Sequence, residues 1–249
     1  MPADTETPHT STSEKAEVYF RTLTGRPPID LVMSHILDGL ISGDLVPGQR
    51  INANRLSEQL DVSIVPVREA IHFLAGEGVI ELLPLKGAQI RQMNARELVD
   101  WWHVYRVIAE LGFRGAAVAI AKKPDLAPRI TTAINRIHEA EKNLPAVHYI
   151  LCLTNFHRVI NEIAEMPVLD EATRRLQAIF WGSFLPDYIP FNIYGPTFSY
   201  NYQIVGEAIL RGDGETAVSA FKHHVDWSSS IIEGERPVPG APWHSHSSE

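Results

Sequence analysis

The stretch Leu60-Asp61-Val62-Ser63-Ile64-Val65-Pro66-Val67-Arg68-Glu69-Ala70-Ile71 decides how the first part of this chain folds. It reads as the turn and second helix of a helix-turn-helix, whose second helix enters the DNA major groove. Upstream, residues 53–60 form a short first helix with Leu56 and Leu60 one turn apart on its buried side. Asp61 and Val62 make the turn. Ser63 is placed to cap the next helix by accepting a backbone N–H bond, and Pro66 falls in the first turn, where its missing N–H costs nothing. Val67, Ile71 and Leu74 follow at helical spacing and face inward, which leaves Ser63, Val65 and Arg68 on the outward side. Periodicity alone fits a plain amphipathic helix equally well.

The residues beyond the helix separate these readings. Gly76-Glu77-Gly78 ends it, and Val79-Ile80-Glu81-Leu82-Leu83 has strand character. Pro84-Leu85-Lys86-Gly87 is a turn, and Ala88-Gln89-Ile90-Arg91 returns as a second strand. Two helices followed by a hairpin make a winged helix-turn-helix. Lys86 sits at the wing tip, where a cation reaches a phosphate or the narrow minor groove.

Pro47-Gly48 with Ile51, then Leu56, Leu60, Val62-Ser63, the run Pro66 to Ile71, Leu74, Gly76, Gly78 and Gly87 together resemble the N-terminal domain of GntR-type bacterial transcription regulators. The resemblance implies DNA contacts from Arg50, Asn54, Ser63, Ile64, Val65, Arg68, Lys86 and Gly87. Two positions depart from the family pattern: Ile64 and Asn54 stand where relatives commonly carry arginine. Arg68 therefore carries more of the recognition here.

Charge agrees with a lean set of contacts. The 249-residue chain has a formal charge of −8, unusual for a protein that binds phosphates. Even between Asp30 and Arg91, five Lys and Arg face eight Asp and Glu. A hydrophobic share of 45% is enough for one large core or two modest ones. Cys152, the only cysteine, excludes a disulfide within the chain and reads as an inert packing residue of a cytoplasmic protein. No apolar run approaches membrane-span length. Residues 1–27 read as a disordered arm and 233–249, with His244 and His246, as a flexible tail.

From Asn94 the pattern turns wholly helical, which makes the fold class mainly α. A winged helix-turn-helix over 28–93 is followed by an all-α domain of about six helices over 94–232. Asn94-Ala95-Arg96-Glu97 is a capping-box start. Helices are predicted over 94–121, 125–144, 146–164 and 168–184, then an irregular proline-rich stretch over 185–196, then helices over 198–211 and 214–232. Aromatic residues crowd this half, among them Trp102, Phe156, Phe180, Trp181, Phe198 and Tyr202.

Arg106 with Glu110, Asn155-Phe156-His157 with Asn161, and Gly212-Asp213 with Ala217, Ala220 and His224 resemble the FCD domain of the FadR branch of the same family. This implies an effector-binding and dimerising bundle, with Trp102, Arg106, His157, Tyr202 and His224 around the effector. Relatives commonly hold Zn, Ni or Mn there through an aspartate and three histidines. Here only His157 and His224 remain, because Leu153 and Tyr202 replace the other two ligands. The expectation is a pocket without a resident metal, in which Tyr202 bonds a histidine and Arg106 anchors a small organic acid, apolar or aromatic.

The chain is thus expected to be a metabolite-responsive repressor and no enzyme, binding a palindromic double-stranded operator as a homodimer. Two other classes fit the same residues: a helical enzyme, metal-dependent or metal-free, using His157 and His224, and an interaction protein with a degenerate winged helix.

Overall fold

The structure, a computed structural model, describes residues 25–143 and 145–234, without the side chains of Ile41, Val147 and 174–183. Residues 1–24 of the expected arm, residues 235–249 of the expected tail, and the rings of Phe180 and Trp181 lie outside the described residues. The chain divides into two compact units after Arg91.

The first unit runs α1 (Pro27–Ser42), β1 (Arg50–Ile51), α2 (Ala53–Leu60), α3 (Ile64–Gly76), β2 (Ile80–Leu83) and β3 (Gly87–Ile90). Its core is the seam between α1 and α3. Val32, Ile36 and Leu40 on one side and Val67, Ala70, Ile71 and Leu74 on the other are buried. Asn52 caps α2 by accepting the Arg55 N–H at 3.1 Å. Asp61 ends α2 in the left-handed region (φ 50°), and the Ser57 hydroxyl donates to the Val62 carbonyl at 2.6 Å. These bonds set the turn between the two reading helices.

Ser63 occupies the N-cap of α3 with an extended backbone, but its side chain makes no capping bond, contrary to expectation. A cap serves the N–H of the second or third helical residue. The third residue here is Pro66, which has no N–H to offer.

Pro47-Gly48 explains a strand that periodicity is too short to show. Gly48 has φ 78°, and the Gln49 N–H returns to the Val46 carbonyl at 3.0 Å, as a Pro-Gly turn requires. The turn lays Arg50–Ile51 against Gln89 and Ala88, so the expected hairpin becomes a three-stranded antiparallel sheet of order β1-β3-β2. The β2–β3 register closes at Leu83 and Gly87.

The second unit comprises, among the described residues, α4 (Ala95–Lys122), a 3₁₀ turn (Pro124–Leu126), α5 (Ala127–Asn143), α6 (Ala146–Ile163), α7 (Pro167–Tyr188), α8 (Phe191–Leu210) and α9 (Gly214–Ile232). The Asn94 capping box forms in full, with both bonds at 3.0 Å. Helix α4 packs along α9 and α6, and α8 packs between α9 and α5. The expected irregular stretch over 185–196 is instead helical apart from Ile189-Pro190, with Pro186 and Pro196 inside helices. Each proline removes one backbone bond. Burial of Tyr194, Phe198 and Tyr202 along α8 outweighs that loss, because tertiary packing supplies most helix stability. No helix among the described residues is long and apolar enough to cross a membrane.

Close helix approach depends on small residues. A Cβ on Gly112 of α4 would run into Asn161 Oδ1, and Asn161 is fixed by its bond to the Thr173 hydroxyl at 2.8 Å. Gly112→Ala is therefore expected to cost about 1–3 kcal/mol in chemical unfolding. The penalty should shrink when Asn161 is also truncated to Ala, read as a double-mutant cycle.

Candidate functional site

The reading helix α3 presents Ser63, Val65 and Arg68 as exposed side chains, with Ile64 half-buried beside them. Val65 is 60% exposed, unusual for an apolar side chain with no contact to protect. Asn54, Arg50, Lys86 and Gly87 are exposed as well. Arg50 and Lys86 come together: the Arg50 guanidinium donates to the Lys86 carbonyl at 2.6 Å and braces the wing from β1. Arg68 makes no ion pair among the described residues, so its charge faces solvent. The wing tip also shows Leu85, fully exposed and held at φ 59°, which sequence reasoning passed over as a turn residue. Arg50 and Arg55 border a cleft with Asp38, whose carboxyl is pushed up by burial.

Inside the second unit, four helices aim rings at one another. Trp102, Tyr105 and Phe113 come from α4, Phe156 and His157 from α6, Phe198 and Tyr202 from α8, and Phe221 and His224 from α9. His157 stacks on Phe113 at 5.6 Å, and Phe221 lies 5.2 Å from His157 and 5.7 Å from His224. The Tyr202 hydroxyl meets His157 Nε2 at 2.9 Å. The Asn201 amide donates to His224 Nδ1 at 3.2 Å, which puts the His224 proton on Nε2. That Nε2 is buried and has no partner. Trp102 is pinned by its indole N–H to the Ser228 hydroxyl at 2.6 Å. Arg106, next to Tyr105 on α4, is ion-paired with Glu110, while its Nε is buried without a partner. Sequence reasoning did not assign Asn201 a role, although it directly precedes Tyr202.

Comparison with known proteins accounts for both units. Residues 28–90 match the bacterial regulatory proteins of the gntR family, and residues 103–226 match the FCD domain. The chain belongs to the GntR family of transcriptional regulators, in its FCD-containing branch. An HTH-type transcriptional regulator of Mycobacterium tuberculosis is 23% identical over 198 residues, covering 77% of this chain and 75% of the relative. The HTH-type transcriptional regulator McbR of Escherichia coli is 25% identical over 170 residues, covering 68% and 69%. Among solved structures, E. coli McbR/YncC superposes with TM-score 0.65 at 19% identity, covering 83% of this chain and 97% of that one. A GntR structure from Rhodococcus sp. RHA1 reaches 0.70 at 19%, covering 85% and 100%.

The ligand positions implied by the FCD resemblance fall in this GntR regulator on Leu153, His157, Tyr202 and His224. Leu153 is buried hydrocarbon, and the Tyr202 hydroxyl stands where an ion on His157 Nε2 would have to sit. No group of three or more His, Cys, Asp or Glu gathers to hold a metal among the described residues. The residues present do not fit a divalent ion.

Electrostatics follow from enclosure. Burial, and then the neighbouring His224, lower the His157 pKa to about 3; burial, and then His223, do the same for His224. The Tyr202 hydroxyl is pushed well above its ordinary value by burial. All three groups are neutral at pH 7, as a ring-lined interior demands. In the unfolded chain both histidines take up protons below about pH 6.5, while in the fold they resist protonation down to about pH 3. Stability is therefore full above pH 6.5 and drains as pH falls toward 3. Between pH 7 and 5 the loss is expected to be about 2 kcal/mol per histidine. Urea unfolding at the two pH values checks this, and His157→Gln should remove about half of the difference.

Proposed function

We propose that this regulator is a homodimeric repressor, acting in the cytoplasm, that holds a palindromic operator until a small organic acid binds its FCD domain. The observation that carries the dimer is an apolar stripe on α4. Val104, Val107, Leu111 and Val118 are each 51–55% exposed. They repeat at steps of three, four and seven residues, the spacing of a helix–helix seam. A second copy meeting this stripe about a twofold axis buries it and presents two reading helices to two half-sites. Repression is supported by a relative in Paenarthrobacter nicotinovorans described as a probable D-xylose utilization operon transcriptional repressor, 24% identical over 207 residues.

The acid class of effector is supported by two buried donors without acceptors, Arg106 Nε and His224 Nε2. An unmet buried donor costs about 1–3 kcal/mol, which a bound carboxylate recovers. The crowd of rings favours an apolar or aromatic acid over a small, highly charged one. An acid–base role for His157 and His224 in an enzyme is less well supported, since both are held neutral and no metal-binding group of acids and histidines surrounds them among the described residues.

A gel shift on the promoter flanking the gene tests the operator. The protein should protect a short palindrome, and Arg68→Ala should weaken binding at least about tenfold, the value of about 1–3 kcal/mol for one good base contact. Binding unchanged by Arg68→Ala overturns the assignment of α3 as the reading helix. Leu111→Glu should give a folded monomer by light scattering and, with the second half-site contact gone, bind the palindrome at least about a hundredfold more weakly. A Leu111→Glu dimer places the interface elsewhere.

A further inference from the structure

None of the residues assigned so far forms a cleft at one end of the bundle, where the break between α7 and α8 passes the end of α5 and the start of α6. Its volume is about 540 Å³, within the range of small-molecule sites. Among the described residues the walls include Tyr149, Pro186, Pro190, Phe191 and Gly195, and the one charged residue lining it is Glu141. Phe191 packs edge-on to Tyr149 at 5.5 Å and to Phe198 at 5.1 Å.

Glu141 is the unusual member. Its side chain is 17% exposed, yet no hydrogen bond to its carboxylate forms among the described residues. The nearest cationic candidate is His138, with Nδ1 at 3.9 Å. The other ring nitrogen of His138 is engaged by Gln203. Gln203 donates its amide N–H to Glu207 at 2.8 Å, which turns its carbonyl oxygen toward His138 Nε2 at 3.1 Å. The Nε2 is therefore committed to Gln203, and Nδ1 at 3.9 Å lies beyond hydrogen-bond reach of Glu141. The Tyr149 hydroxyl is no help, because it is engaged by the Gly195 carbonyl and the Ser199 hydroxyl, both at 3.0 Å. A part-buried carboxylate with no protein donor among the described residues, set beside the ring of Phe191, is open to a cationic ligand.

We propose that this cleft is a second small-molecule site and that it takes an amine carrying an apolar or aromatic body. The ammonium group donates to Glu141 and lies against the ring of Phe191, which attracts a cation through its quadrupole. The body rests on Pro186 and Pro190. Charge sets this site apart from the acid-binding core at Arg106 and His224, because a carboxylate ligand is repelled by Glu141.

Isothermal titration calorimetry of the full chain with phenethylamine, against 3-phenylpropionate as the acid of similar shape, tests the assignment. The amine should bind saturably at one site per chain. Glu141→Gln should weaken it at least about tenfold, as loss of one charged hydrogen bond implies, and Phe191→Leu at least about threefold. Neither variant should alter the response to the acid, so failure of the acid effector and failure of this site are separately visible. Absence of saturable amine binding up to about 10 mM, where affinity is below about 3 kcal/mol, overturns the proposal. So does equal binding by wild type and Glu141→Gln. If Glu141→Gln does not fold by circular dichroism, Phe191→Leu decides the matter: weaker amine binding supports the site and unchanged binding overturns it.

Discussion

The hydrogen bond between Tyr202 and His157, closed inside a shell of rings, is the constraint on which the sensing half of this regulator depends. It uses the imidazole nitrogen that a metal would need, and it joins α6 to α8 at the centre of the bundle. Because both groups are fully enclosed, the imidazole is neutral and the phenol stays protonated. A neutral pair of this kind satisfies its own polarity without a counter-ion, so the surrounding space can be filled by Phe113, Phe156 and Phe221. A metal site in the same place would demand carboxylate and water, which the hydrocarbon of Leu153 excludes.

The same economy governs the polar groups along α4. Arg106 is held by Glu110, and Glu110 is shared with Arg114, which reaches on to Glu215 of α9 at 2.7 Å. The chain of ion pairs runs alongside the exposed apolar stripe of α4. One helix thus offers a buried ring face, a charged flank and an apolar outer face. That division of labour suits a helix expected to sense a ligand and to pair with a copy of itself.

In the reading unit, backbone chemistry rather than burial does most of the positioning. Pro66 removes one of the two N–H groups that Ser63 could cap, and the uncapped hydroxyl stays exposed at the start of α3. Pro47-Gly48 turns the chain so that Arg50 reaches the wing and holds the Lys86 carbonyl. The short count of cations is thus partly offset by placement: Arg50 shapes the wing while Lys86 and Arg68 remain exposed.

Much of this was readable from residue order because it rests on local rules. The spacing of Val67, Ile71 and Leu74, the Pro-Gly turn, the Asn94 capping box and the replacement of ligands by Leu153 and Tyr202 are all short-range signals. The third strand escaped because two residues carry no period. The helical run through Pro186 and Pro196 escaped because local propensity argues against it, and only burial of Tyr194, Phe198 and Tyr202 reverses the balance. Which nitrogen of His224 lacks a partner, that Glu141 lacks a donor and that the α4 stripe is uncovered depend on residues tens of positions apart. By itself the sequence determined most of the elements, the family and the loss of the metal ligands, since those depend on neighbours in the chain. Tertiary structure alone decided which polar groups are satisfied and which are left waiting, since burial and hydrogen bonding are set by whatever packing brings together.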